Sequence, residues 1–338
     1  MNAIWFKRIA FIAACLALVV VVLGAYVRLS DAGLGCPDWP GCYGHIDVPE
    51  AAHDVARANQ AWPGRPVEAG KAWKEMIHRY FAGSLGLLIL ALAVMAIRRG
   101  RRPNQPFWLP LGLVVLVMFQ ALLGMWTVTK LLKPVVVSMH LLGGMATLAL
   151  LWLLFFRASG RVRTRLRTTP GQRRLITAAL VAVACQIALG GWTSTNYAAV
   201  ACPDFPTCQG QWWPAGADFS DGFTLFAGSH AVPAGGLPAD AKVAIHFTHR
   251  LGALIVFLLV GGMSLWLWLR SRDSLLRHLG LVAGVLMIVQ IVIGVCMVEF
   301  ALPLPLAVAH NGNAALFLIS MVALARAAWS PPRNELGG

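Results

Sequence analysis

The stretch EMIHRYFAG runs from Glu75 to Gly83, and HFTHRLGAL runs from His246 to Leu254; their His-Arg pairs, His78-Arg79 and His249-Arg250, lie 171 residues apart. Each opens a long apolar run. Working outward, QALLGMWTV from Gln120 and SMHLLGG from Ser138 are answered by QIVIGVCMV from Gln290 and AVAHNGN from Ala307, with Gln120 and Gln290 each 20 residues before a histidine, His140 or His310. Ahead of both stretches stand near-identical loops, CPDWPGC (Cys36 to Cys42) and CPDFPTC (Cys202 to Cys208). Self-similarity on this scale means that one structural unit occurs twice.

Composition sets the solvent for those units. Apolar residues make up 58% of the 338 and charged residues 12%, far from the soluble average of about 25% charged. About 20 apolar residues cross a bilayer as a helix, and eight stretches qualify: roughly 8–27, 76–97, 107–128, 135–156, 175–195, 243–269, 277–298 and 305–326. The net charge of +14 does not imply nucleic acid, because the basic residues sit in short clusters between apolar runs. Eighteen of the 28 basic residues fall in alternate connections, seven of them between Arg157 and Arg174. The positive-inside rule places those connections and both termini in the cytoplasm. The long loops 28–75 and 196–242 then face outward with 7 and 4 of the 14 acids. The first span is longer than a signal-peptide core and reads as retained.

The predicted fold is therefore all-α and integral to a membrane, with eight spans arranged as two tandem four-helix bundles. Four spans per unit keep both units in the same orientation, related by a pseudo-twofold axis along the membrane normal. The units are 1–156 and 175–327, joined by an arginine-rich linker at 157–174 and followed by a flexible tail at 328–338.

Cysteine chemistry follows from topology. Cys36, Cys42, Cys202 and Cys208 lie in outward loops, where disulfides persist, and Cys15, Cys185 and Cys296 lie within spans. Short disulfides within each loop are the expected pairing. Zinc is the competitor, but C-x5-C with internal prolines is not usual zinc spacing, and His45 and His53 have no counterparts beside the second pair.

His78, His140, His249 and His310 open spans that enter from the outer face, so they lie at similar depth. An ionisable group inside a span points to function, and two imidazoles across a four-helix bundle are what a haem iron takes as axial ligands. Gly83, Gly86, Gly143, Gly144, Gly252 and Gly312 follow these histidines and leave room for a flat ligand, or for close helix packing. No C-x-x-C-H occurs, so attachment would be noncovalent. Arg79 and Arg250 either snorkel to lipid head groups or contact haem propionates. Glu75, three residues before His78, is matched by His246 in the second unit. A carboxylate there either moves protons or caps a helix start. Gln120 and Gln290 are interhelical hydrogen bonders or supports for the site, tryptophans such as Trp212 and Trp213 suit an interfacial belt, and His230 and His278 read as loop residues.

Eight spans in two parallel halves, E-x-x-H-R, H-R, the histidines of the fourth and eighth spans and the paired loop cysteines together resemble the haem A synthase family across roughly residues 8–326. The wording NYAAVACPDFPTCQG is closest to proteobacterial members, and the resemblance implies a bacterial inner membrane. It implies oxidation of a ring methyl of haem O to the formyl of haem A, for cytochrome oxidase assembly. His249 and His310 would ligate a haem b cofactor, His78 and His140 would flank the substrate haem, and Glu75 would assist catalysis. Haem O synthase would hand over the substrate, with an unnamed electron partner. Cys202 and Cys208 would be structural, while Cys36 and Cys42 are either structural or redox-active. Two rivals stand beside this reading. A di-haem b-type cytochrome accounts for the four histidines but not for Glu75. A transporter should carry its polar groups at the midplane.

Overall fold

The computed structural model describes residues 3–101, 106–160, 162–164, 168–224 and 236–331. His230, the tail beyond 331 and the linker arginines at 161, 165 and 167 lie outside these residues. Among the described residues the regular elements are helices: α1 (Ala3–Leu29), α2 (Ala52–Ala61), α3 (Ala69–Arg99), α4 (Trp108–Thr129), α5 (Pro134–Ser159), α6 (Pro170–Thr195), α7 (Phe219–Gly222), α8 (Ala239–Arg270), α9 (Ser274–Glu299) and α10 (Leu304–Trp329). No β-strand occurs among the described residues. Eight of these helices are long and apolar enough to cross a membrane, and they correspond one for one to the expected spans. Backbone groups in lipid must be satisfied within the segment, which makes the helix the structure that an apolar run adopts there. The short α2 and α7 lie in the two long loops.

Helices α3 and α8 stand apart in length, at 31 and 32 residues against 22 to 27 for the other spanning helices. At 1.5 Å per residue they reach about 46–48 Å, beyond a hydrocarbon core of about 30 Å. Both begin earlier than the apolar runs, at Ala69 and Ala239. Glu75 therefore lies in the second turn of α3, whose N-cap is Glu68, and the reading of Glu75 as a helix cap is overturned. His278, expected in a loop, lies in the first turns of α9 and is exposed, with Nδ1 against the Ser274 carbonyl at 2.7 Å.

In the first half α1 packs on α3 and α5, and α4 on α3 and α5; in the second, α6 packs on α8 and α10, and α9 on α8 and α10. Across the seam α1 meets α10, α5 meets α6, and α5 meets α10. Ala10, Ala13, Ala14 and Ala17 are fully or almost fully buried along α1, where small side chains let Leu148, Leu151 and Leu154 of α5 approach closely. Ile176, Ala179 and Val183 of α6 pack with Val260, Met263 and Leu267 of α8 in a second core. A Ser138 to Thr195 hydroxyl pair at 3.0 Å and an Arg28 to Tyr197 bond at 2.9 Å cross the seam.

The two cysteine loops share their construction. Disulfides join Cys36 to Cys42 and Cys202 to Cys208, with Cα separations of 4.9 and 4.6 Å. Each loop holds a cis X-Pro bond, Trp39-Pro40 or Phe205-Pro206. Positive φ occurs at Tyr43 and Gly44 in one and at Gln209 and Gly210 in the other. Asp38 accepts from the Tyr43 and Gly44 amides at 2.7 Å each, and Asp204 accepts from the Gln209 and Gly210 amides at 2.6 and 3.0 Å. Asp204 also accepts from the Thr207 hydroxyl. That bond leads the several that hold the Asp204 carboxyl down at about 2. Burial, with Glu68 nearby, pushes the Tyr43 phenol up while its hydroxyl donates to the Pro66 carbonyl at 3.1 Å.

Candidate functional site

Each of the four histidines rests on a glycine of a neighbouring helix. A side-chain carbon added at Gly24 of α1 would lie 2.9 Å from His78 Cε1, at Gly124 of α4 3.4 Å from His140 Cε1, at Gly190 of α6 3.1 Å from His249 Cε1, and at Gly294 of α9 3.2 Å from His310 Cε1. Glycine at these places lets the Cε1 edge of an imidazole approach the helix backbone with no Cβ in its way. His140 is within electrostatic range of His78, and His310 is within range of His249, so the rings are brought together in the expected pairs. Nδ1 of His78, His140 and His310 is buried without a hydrogen-bond partner of ordinary geometry, the backbones of Val20 and Gln120 making longer hydrogen-bond contact with the first two rings. Among the described residues no cluster of three or more His, Cys, Asp or Glu side chains forms a metal site. Two imidazoles per half, with no further protein donors, fit the axial set of a haem iron, whose remaining ligands come from the porphyrin.

Outside each histidine pair the cysteine loop is clamped onto α3 or α8. Glu75 is 5% exposed; its Oε2 accepts from the Cys36 amide at 3.0 Å, and its Oε1 pairs with Arg79 Nη2 at 2.5 Å. Arg79 Nη1 donates to the carbonyls of Asp38, Pro40 and Gly41. In the second half, His246 is 5% exposed and its Nδ1 accepts from the Cys202 amide at 3.1 Å. Arg250 donates to the carbonyls of Cys202, Asp204 and Thr207 at 2.7–2.8 Å. Both arginines thus hold loops, a part that the sequence reading of lipid or propionate contact did not include. Carbonyls turned inward by the tight loop need donors, and a guanidinium supplies several in one plane.

The glycines after the histidines divide by environment. A side chain at Gly83, Gly86 or Gly144 would meet no other part of the chain within 4 Å. Gly312 faces Val22 of α1 across the seam at 3.5 Å, which is the packing alternative. Gly143 and Gly252 make room for the side chains of Gln120 and Gln186. The cradle glycines and Gln186 were missed by the sequence reading. Their signal is Q-x3-G, present as QALLG, QIALG and QIVIG from Gln120, Gln186 and Gln290.

Comparison with known proteins decides the family. The family model COX15-CtaA, described as cytochrome oxidase assembly protein, matches residues 7–322. The chain belongs to this family. A relative from Shewanella oneidensis named heme A synthase is 43% identical over 333 residues, which is 97% of each chain. Proteins of the same name from Caulobacter vibrioides and Chelativorans sp. are 28% and 27% identical, over 96% and 94% of this chain and 94% and 89% of their own. The family match spans both halves and so includes all four histidines, Glu75 and both cysteine loops.

Proposed function

We propose that this chain is a haem A synthase, an oxidoreductase that converts a ring methyl of haem O to a formyl group for cytochrome oxidase assembly. The observation that carries this is the 43% identity to the Shewanella oneidensis heme A synthase across 97% of both chains. The di-haem cytochrome reading gives the buried carboxylate of Glu75 no part beyond holding the Cys36 loop. The transporter reading wants polar groups at the midplane, whereas the matched groups here gather toward the outer ends of the spans.

The architecture that goes with this function is two tandem four-helix bundles, 1–156 and 175–327, related by a pseudo-twofold axis along the membrane normal and joined by the cytoplasmic linker 157–174. The repeated packing pattern, α1 with α3, α4 and α5 against α6 with α8, α9 and α10, supports it. The membrane is a bacterial inner membrane, with both termini in the cytoplasm and the cysteine loops outside.

His78 and His140 hold the substrate haem in the first half, and His249 and His310 hold haem b in the second. Haem b, when bound, supplies one-electron transfer. Glu75 takes up or delivers protons as the methyl is oxidised. Among the described residues the buried carboxylates are Glu75 and Asp273, and Asp273 caps α9. The Cys36 amide and Arg79 hold the Glu75 carboxylate in place, and the clamped loop closes the outer side of the site to water. Any bond from Arg79 or Arg250 to a propionate uses N–H groups that the loop carbonyls leave over. Haem O synthase hands over the substrate, and an electron partner completes the cycle.

Haem extraction from protein purified out of cells that supply haem O tests this reading. Wild type should yield haem A or its alcohol precursor, and Glu75→Ala should yield haem O. Haem b alone in both would give the chain to the di-haem cytochromes.

A further inference from the structure

The Q-x3-G pattern lies opposite the histidines in a regular way. Its glycine carries the ring, and its glutamine reaches the residue three places after the histidine on the facing helix. That residue is Gly143 opposite Gln120, Gly252 opposite Gln186 and Asn313 opposite Gln290. At the fourth site the pattern reads VVVLG, with Val20 replacing the glutamine and Phe81 three places after His78.

The three glutamines differ in what they reach. Gln186 Nε2 lies 3.1 Å from His249 Nδ1 and donates to the His249 carbonyl at 2.9 Å. Gln290 Oε1 is taken by Asn313 Nδ2 at 2.7 Å, which draws it away from its histidine. Gln120 Nε2 is buried without a partner. His249 is thus the one of the four with a side-chain amide on Nδ1. The other end of that amide, Gln186 Oε1, is buried and unpartnered. A histidine bound to iron through Nε2 keeps its proton on Nδ1 and needs an acceptor there. A half-turn of the Gln186 amide turns Oε1 to Nδ1 and gives up the bond to the His249 carbonyl in exchange. Gln186 therefore holds a spare acceptor beside the atom that requires one.

We propose that Gln186 is the positioning residue that makes His249 a retaining haem ligand, and that Val20, which brings its backbone but no side-chain amide to the ring, leaves His78 a releasing one. The inference rests on the reading that the second half keeps a resident haem while the first exchanges its substrate. Partners of this kind change metal affinity by about 10–100-fold, through ring orientation and ligand basicity. Retention in one half and release in the other is what a resident cofactor and a transient substrate require.

The test uses the purified full-length protein and follows haem transfer to excess apomyoglobin by its Soret change. Gln186→Leu, and the size-conserving Gln186→Met, should speed loss of the resident haem by about 10–100-fold, while Gln186→Glu, which keeps an acceptor on Nδ1, should restore slow loss. Val20→Gln combined with Phe81→Gly should slow release from the first half. Loss at the wild-type rate from either apolar variant overturns the proposal. His249→Ala separates the two levels: full resident haem in that variant overturns the underlying reading, whereas its loss there, with unchanged rates in the Gln186 variants, overturns only the part given to Gln186.

Discussion

The two cysteine loops are near copies held by near-identical bonds, and they part at one atom. In the first half a carboxylate oxygen of Glu75 receives the Cys36 amide; in the second an imidazole nitrogen of His246 receives the Cys202 amide. Arg79 and Arg250 then bind three loop carbonyls each. Because His246 latches its loop without a carboxylate, latching alone does not call for an acid at position 75. On the proposed reading, the carboxylate of Glu75 serves the reaction assigned to the first half. A proton-handling role in the first half accounts for the difference, and it also explains why an ion that is costly to bury is supported by a guanidinium and a backbone amide.

The largest effect that would sharpen this comparison comes from the histidine pairs. His249→Ala and His310→Ala should remove resident haem b and abolish turnover, whereas His78→Ala and His140→Ala should keep haem b and fail to bind haem O, as read by extraction and chromatography. Equal loss of both haems from either pair would dissolve the division of labour. Next come the cradle glycines. Valine at Gly24 should lower haem occupancy most, followed by Gly190, Gly294 and Gly124, in the order of the clearances 2.9, 3.1, 3.2 and 3.4 Å. Overpacking of this kind costs about 1–3 kcal/mol. Smaller still are the clamps. Arg79→Ala and Arg250→Ala should each destabilise the packing of its cysteine loop by roughly 2 kcal/mol, since bonds to a charged donor are worth about 1.5–3 kcal/mol. Thermal unfolding in detergent would show it, and only Arg79→Ala should also disturb catalysis, because it alone releases a carboxylate.

The smallest effect is pH-dependent. Asp204 is held at about 2 against an ordinary 3.8, so its stabilising bonds are fully present above pH 3.8 and are lost as the pH falls through about 2. Melting of the wild type should therefore fall across that window by slightly more than melting of Asp204→Asn, which lacks the titrating group. Parallel curves would remove the carboxylate from the account.

Spans and disulfide loops were legible in the sequence because each is written in consecutive residues: an apolar run, and C-P-D. What was not legible depends on which helix meets which. Helices α3 and α8 extend outward through Lys71, Lys74, Asp240 and Lys242, polar turns that an apolar window excludes yet helix propensity permits. Arg79 and Arg250 look like membrane-edge charges until the loop carbonyls are seen folded over them. The cradle glycines were hidden for another reason. Aligning half with half pairs Gly124 with Gly294, but the pattern that matters also relates α1 and α6 to α4 and α9 within each half.

The most direct measurement is haem analysis of Glu75→His, which gives the first half the latch of the second. The account predicts a folded protein with the Cys36–Cys42 disulfide formed, haem b retained and haem O accumulating without haem A. Haem A at the wild-type level in that variant would contradict it and reduce Glu75 to a latch.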